Sequence, residues 1–141
     1  MTFLFLLSAM VVSWPDPILT PGVIDPQVGT SQICHAGYTS KVRHVTEATK
    51  REVFRRYGIP QDGAKYEVDH FISLEIGGKN DIANLWPQPW PEARKKDVCE
   101  TYLHRRVCKG EITLSQAQKI ITTDWPSCYE ESKRKKNAKH N

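Results

Sequence analysis

Four cysteines, Cys34, Cys99, Cys108 and Cys128, constrain what this 141-residue chain can fold into more than any other feature. Cys99 and Cys108 fall on one predicted helix, where nine residues rise ~13.5 Å and turn about half a circle. A disulfide tolerates a Cα separation of at most ~7 Å, so these two do not pair with each other. If the next helix returns antiparallel, Cys128 near its far end lies closer to Cys99 than to Cys108, which leaves Cys34 for Cys108. The expected bridges are Cys34 with Cys108 and Cys99 with Cys128. Such bridges form in an oxidising compartment; the alternative is four buried free thiols in a reducing one. No Cys-x-x-Cys occurs, which argues against a zinc knuckle.

The N-terminus agrees with export. Met1 to Val12 is almost wholly apolar and stops at Trp14-Pro15-Asp16, short of the roughly 20 apolar residues a membrane span needs. Residues 1–13 are read as a signal peptide, with small residues Ser8, Ala9 and Ser13 as cleavage points. No basic segment precedes the apolar run, so a start further upstream belongs to this expectation, and a buried N-terminal strand is the alternative. The mature chain is expected to be secreted or periplasmic, without stable membrane insertion. Of 20 basic residues, five lie in Lys133 to Lys139, leaving 15 against 16 acidic residues. The body is near neutral, and the surplus belongs to a tail that either holds polyanions weakly or is simply solvated.

Residues 14–45, rich in Pro, Gly and Thr, read as an extended arm. Thr46 then caps a helix over Glu47 to Tyr57, stopped by Gly58. Tyr66 to Leu74 alternates as a strand, Gly77-Gly78 breaks it, and Ile82 to Trp86 supplies a short return strand. Pro91 opens a helix over Glu92 to Val107, ended by Gly110. Thr113 and Gln116 form a capping-box pattern for a third helix running through Ala117, Ile120 and Ile121 towards Trp125. The class is α+β: an irregular hairpin with flanking helices. Residues 130–141 read as a disordered basic tail.

The chemistry concentrates in Tyr66-Glu67-Val68-Asp69-His70, Gly77-Gly78 and Asn84-Leu85-Trp86-Pro87. Hydrolysing a phosphodiester needs a base for the attacking water and positive charge on the phosphate and leaving oxygen. An imidazole titrating near ~6.5 makes His70 the base, and Asp69 offers a hard oxygen ligand to a divalent cation. Strand neighbours face opposite ways, so the two serve one site only where the strand ends or bends. Asn84 is expected to hold the imidazole's orientation.

Asp69-His70 at a strand end, Asn84 in the following loop and a helix from about Pro91 resemble the HNH, or ββα-metal, endonuclease family. Glu67-Val68-Asp69-His70, Asn84-Leu85-Trp86-Pro87, Ala93-Arg94-Lys95-Lys96-Asp97 and the Ile33-Cys34-His35-Ala36-Gly37-Tyr38 segment are similar to small exported bacterial proteins with that signature. The likeness covers most of residues 14–125, with residues 46–129 as the HNH-like domain and its αα-hairpin. It implies a nuclease with His70 as base, Asp69 on the metal and Asn84 positioning His70. The sequence departs from the pattern at the helical signature position, where Ala93 or Arg94 stands in place of a ligand. Arg94 is therefore expected at the scissile phosphate, Asp97 as the completing metal ligand, and Lys95 and Lys96 on the nucleic-acid backbone. The implied cofactor is a divalent ion, Mg²⁺ ahead of Mn²⁺ or Zn²⁺, and the implied partner is nucleic acid, DNA ahead of RNA.

Structural readings compete at each position. Asp69 with His70 can be a strand-end ion pair, Asn84 can be turn chemistry, and Trp86 and Trp90 read as core ahead of base-stacking. Asp97, Glu100, Thr101 and His104 share one helical stripe, read as hydrogen-bonded or solvated ahead of a metal face. His35 and His44 receive no role. Two other functions stand beside the nuclease: a non-catalytic, disulfide-stabilised secreted module with a degenerate HNH site, and a structural zinc protein using His104, Asp97 and cysteines.

Overall fold

The computed structural model describes residues 13–140, so all but the last residue of the expected signal segment lies outside the described residues. The chain is α+β. It runs α1 (Thr30–Ile33), α2 (Tyr38–Val42), α3 (Glu47–Tyr57), β1 (Tyr66–His70), β2 (Leu85–Pro89), α4 (Trp90–Cys108), α5 (Leu114–Thr123) and α6 (Trp125–Ala138). Two 3-10 turns, Leu74–Ile76 and Ile82–Asn84, lie between the strands.

Local signals start and stop the helices as expected. The Thr46 hydroxyl accepts the Thr49 amide at 3.1 Å, and Gly58 closes α3 in the left-handed region. At α5, Thr113 and Gln116 exchange their capping bonds at 3.0 and 2.8 Å. Along α4 the buried residues Ala93, Lys96, Cys99, Leu103 and Val107 recur every three or four positions, forming one face. Against it pack Ala117 and Ile121 of α5, Trp125 and Cys128 of α6, and Ile33 and Ile76. Each fully buried Leu or Ile contributes about 1.5–3 kcal/mol, and α4 is the shared wall of that core.

Both expected disulfides are present. Cys34–Cys108 has a Cα separation of 5.7 Å and Cys99–Cys128 one of 5.5 Å. Each ties a different element to α4, as a helix with cysteines half a turn of circumference apart requires. Among the described residues no helix is long and apolar enough to cross a membrane.

β1 and β2 form an antiparallel pair, with Glu67 opposite Gln88, Asp69 opposite Trp86 and His70 opposite Leu85. The strands differ from the expected bounds: β1 ends at His70, and Ile82–Asn84 is a 3-10 turn ahead of a return strand that takes in Pro87 and Pro89. Two prolines two residues apart are tolerated because both missing amides face away from β1 on an edge strand. The connecting loop doubles back so closely that a Cβ on Gly78 would lie 1.8 Å from the Ile72 carbonyl oxygen. Gly78→Ala is therefore expected to cost about 3 kcal/mol or more, read as a lowered urea midpoint; an unchanged midpoint would contradict this loop path.

Two expected boundaries are corrected. The arm over 14–45 is not uniformly extended: α1 and α2 form where Ile33 is buried, Gln32 accepts the Gly29 amide at 2.8 Å and Cys34 is bonded to Cys108. Those helices are too short to carry a periodic pattern and are held by distant partners. Nor is the stretch from residue 130 a disordered tail, because α6 continues to Ala138. Asp124 caps it through the Ser127 amide, Cys128 anchors it, and Glu130–Lys133 at 3.0 Å and a Lys133 ammonium 4.6 Å from the Tyr129 ring centre support its exposed turns. The helix expected to run towards Trp125 accordingly breaks at Asp124, and α6 starts there afresh.

Candidate active site

Alternation along β1 sends Glu67 and Asp69 to the face covered by α4, and Tyr66, Val68 and His70 to the other. Asp69 and His70, though adjacent, thus point apart. One oxygen of Asp69, Oδ2, accepts the Lys96 ammonium at 2.8 Å; that ammonium also donates to the His70 carbonyl oxygen at 2.8 Å and to Glu100. Beside this pair, ligand oxygens of Glu67, Asp69 and Asp97 all lie within 4.8 Å of one another.

The cluster is electrostatically unsatisfied. Burial, then the neighbouring carboxylates Asp69 and Asp97, push Glu67 up to about 7. Burial and Asp69 likewise push Asp97 up to about 6. Glu67 Oε2 is buried without a hydrogen bond, and so are both polar atoms of Gln88, the wholly buried residue opposite Glu67. Orphaned oxygens and mutually repelling carboxylates suit a hard divalent cation, which takes such ligands.

On the opposite face His70 is 3% exposed. Its Nε2 lies 3.0 Å from Asn80 Oδ1, while Asn80 Nδ2 donates to the Val42 carbonyl at 2.7 Å and the His44 amide donates to Oδ1 at 3.3 Å. With Oδ1 facing the ring, a neutral imidazole must carry its proton on Nε2, leaving the Nδ1 lone pair as the basic atom. Burial lowers the imidazole's pKa, outweighing the Asn80 bond, so the neutral form dominates at neutral pH. His70 and Glu67 both line a cleft of about 420 Å³, together with Arg43, Lys50, Tyr66 and Trp90.

Several expected roles move. Asn84 does not touch His70: it is fully buried, donates to the Ile72 and Lys79 carbonyls at 2.9 and 2.8 Å, and accepts the Ile72 and Val23 amides at 2.9 and 3.2 Å. It clamps the loop, and Asn80 holds the imidazole. Lys96 is corrected from a backbone-binding cation to a fully buried counter-ion of Asp69 and Glu100. Arg94 stacks over Trp90 at 5.6 Å, whereas Arg43 lines the cleft; Lys95 is half-buried on α4. Trp86 is core at 2% exposure, and Trp90 is a cleft wall. The helical stripe is internally bonded, with His104 Nδ1 donating to the Glu75 carbonyl at 2.7 Å. Disulfide bonding of all four cysteines removes the zinc arrangement.

Glu67, legible as the same-face neighbour of Asp69 two residues back, joins the cluster with Asp97. Asn80 and Arg43 carried no such local signal.

The raised carboxyl groups set a pH dependence. Glu67 and Asp97 bind protons more tightly folded than unfolded, so their contribution is present below about pH 4 and is lost as pH rises through about 6 to 7. His70, with its lowered value, works oppositely as pH falls below ~6.5. In EDTA, Asp97→Asn is expected to raise Tm at pH 7.5; in Mg²⁺ without chelator, a cluster that takes the cation stabilises the parent protein and not the variant. Solvent screening holds the effect to the order of 1 kcal/mol, roughly 3–4 °C. Thermal melts giving identical Mg²⁺ responses for both proteins would contradict the cluster's role.

No protein-family model, no curated protein and no solved structure matches this chain.

Proposed function

We propose that the protein is a secreted or periplasmic HNH-type endonuclease, with a ββα-metal core formed by β1, β2 and α4, that hydrolyses phosphodiester bonds in nucleic acid largely independently of sequence. The observation that carries this reading is a neutral imidazole, fixed through Nε2 on Asn80, sharing a cleft with one of three clustered carboxylates. The two disulfides support an oxidising compartment.

Glu67, Asp69 and Asp97 would hold the cation, Mg²⁺ foremost. Bound there, it supplies positive charge to the phosphate and leaving oxygen. His70 Nδ1 takes the proton of the attacking water as the new P–O bond forms and the ester P–O bond breaks. Arg43, in the same cleft, neutralises a non-bridging oxygen, a task expected of Arg94 from sequence alone. Lys95 contributes backbone attraction from α4. A near-neutral body makes binding weak and salt-sensitive, with DNA ahead of RNA as the substrate.

Two observations favour a second reading, a non-catalytic disulfide-stabilised module: the Lys96 ammonium already neutralises Asp69, and the Asp69 and His70 side chains leave β1 on opposite faces. Plasmid nicking with Mg²⁺, Mn²⁺ or EDTA separates the two. Nicking that EDTA abolishes is expected; no nicking with either metal would leave the module, and undiminished nicking in EDTA would remove the metal.

A further inference from the structure

We propose that the cleft beside His70 takes a single, unstacked strand of nucleic acid, with one base against Trp90 and a phosphate on Arg43. This rests on the nuclease reading and names its substrate form.

The cleft runs along β1 on the face that carries Tyr66, Val68 and His70, between that strand and α3. At one end stand Trp90 and Tyr66; at the other stands His70, four residues along the strand. Four strand residues span ~13 Å, so Trp90 and His70 meet different parts of one bound strand.

The aromatic end is held in place. Trp90 Nε1 donates to the Gly63 carbonyl at 2.7 Å, and the Arg94 guanidinium lies 5.6 Å from the ring centre. Tyr66 stands edge-on to Phe54 at 6.1 Å. An indole fixed by its N–H and neighboured by a cation offers a rigid stacking surface.

Charge is divided along the same wall. Lys50 is paired with Glu47 at 3.0 Å, so Arg43 is the cation that faces the ligand. Arg43 lines the same cleft as His70 and Glu67, so a phosphate held on it lies in the space the imidazole borders.

Duplexes fit this arrangement poorly. Stacking on Trp90 needs a free base face, and the faces of paired bases are covered by their neighbours unless a base is flipped out. A cleft of about 420 Å³ is also too small for two paired strands.

The test is binding in EDTA with an eight-nucleotide oligothymidylate and with a GC-rich hairpin duplex, read by tryptophan quenching and fluorescence anisotropy. The single strand is expected to bind at least tenfold tighter than the duplex. Trp90→Ala is expected to weaken single-strand binding about tenfold, and Trp90→Phe, which keeps a stacking ring, by less than threefold. Arg43→Ala, a surface change, weakens it and flattens its salt dependence by about one ion.

Equal affinity for duplex and single strand, or binding indifferent to both Trp90→Ala and Arg43→Ala, overturns the proposal even if plasmid is nicked. Tight, Trp90-dependent binding of the single strand with no cleavage in Mg²⁺ or Mn²⁺ sinks the nuclease reading and leaves this one standing.

Discussion

Replacing His70 with alanine is expected to slow Mg²⁺-dependent cleavage by about 10²–10⁴-fold, the range lost when a positioned general base is removed. His70 is the histidine that lines the cleft, and Asn80 assigns its proton to Nε2, which leaves Nδ1 as the basic atom. A pH profile adds a readout that damage to the fold would not mimic. Because burial lowers the His70 pKa, the rate should fall only as pH drops below ~6.5, through that lowered value. Asn80→Asp places a carboxylate against the Nε2 proton and favours imidazolium, so the acid limb should move to higher pH. Asn84→Ala, whose partners are all loop backbone, should lower stability and leave the position of that limb alone. Full activity in His70→Ala would remove the base; an Asn80→Asp profile that overlays the parent would remove Asn80 as its positioning residue.

Replacing Lys96 with methionine is expected to destabilise the fold by about 3–5 kcal/mol. Its ammonium is wholly buried and bonds Asp69, Glu100 and the His70 carbonyl. Removing it leaves two buried carboxyl groups and an orphaned carbonyl. For a domain of this size the loss amounts to a Tm drop of about 10 °C or more. The two disulfides close 74 and 29 residues of sequence and each restrict the unfolded chain by about 4 kcal/mol, so the variant should still fold. Burial already raises the Glu100 pKa even with Lys96 beside it; with the cation gone, Glu100 favours the protonated form further. The deficit should therefore shrink as pH falls to about 4. A second change, Glu100→Gln, should recover part of it at neutral pH. Chemical denaturation showing less than 1 kcal/mol lost at pH 7.5 would mean the ammonium is not the counter-ion of this pair.

Lys96→Met also bears on function. Freeing Asp69 from the ammonium should tighten Mg²⁺ binding if the acidic cluster is a cation site, and should leave calorimetric titrations flat if the cluster is only structural.

What could be read from the residues alone was whatever depends on neighbours a few positions away. Thr46, Thr113 and Gln116 cap their helices because a cap is a bond between residues three apart. The fixed rise of a helix ruled out a Cys99–Cys108 bridge, and an antiparallel return of the next helix then favoured Cys34 with Cys108 and Cys99 with Cys128. Strand alternation alone puts Glu67 on the face of Asp69, because residues two apart in a strand point the same way. Tertiary structure alone decided the rest. Asn80 and Asn84 are chemically identical, and only the path of the loop, pinned where Gly78 meets the Ile72 carbonyl, determines which of them reaches the imidazole. Lys96 looks like a surface cation beside Lys95 until β1 is laid on α4 and brings Asp69 within 2.8 Å of its ammonium. α1 and α2 exist because Cys108 and the core beneath Ile33 hold them there. In each case the deciding bond joins residues far apart in the chain, and its strength depends on water being excluded by packing that no local pattern encodes.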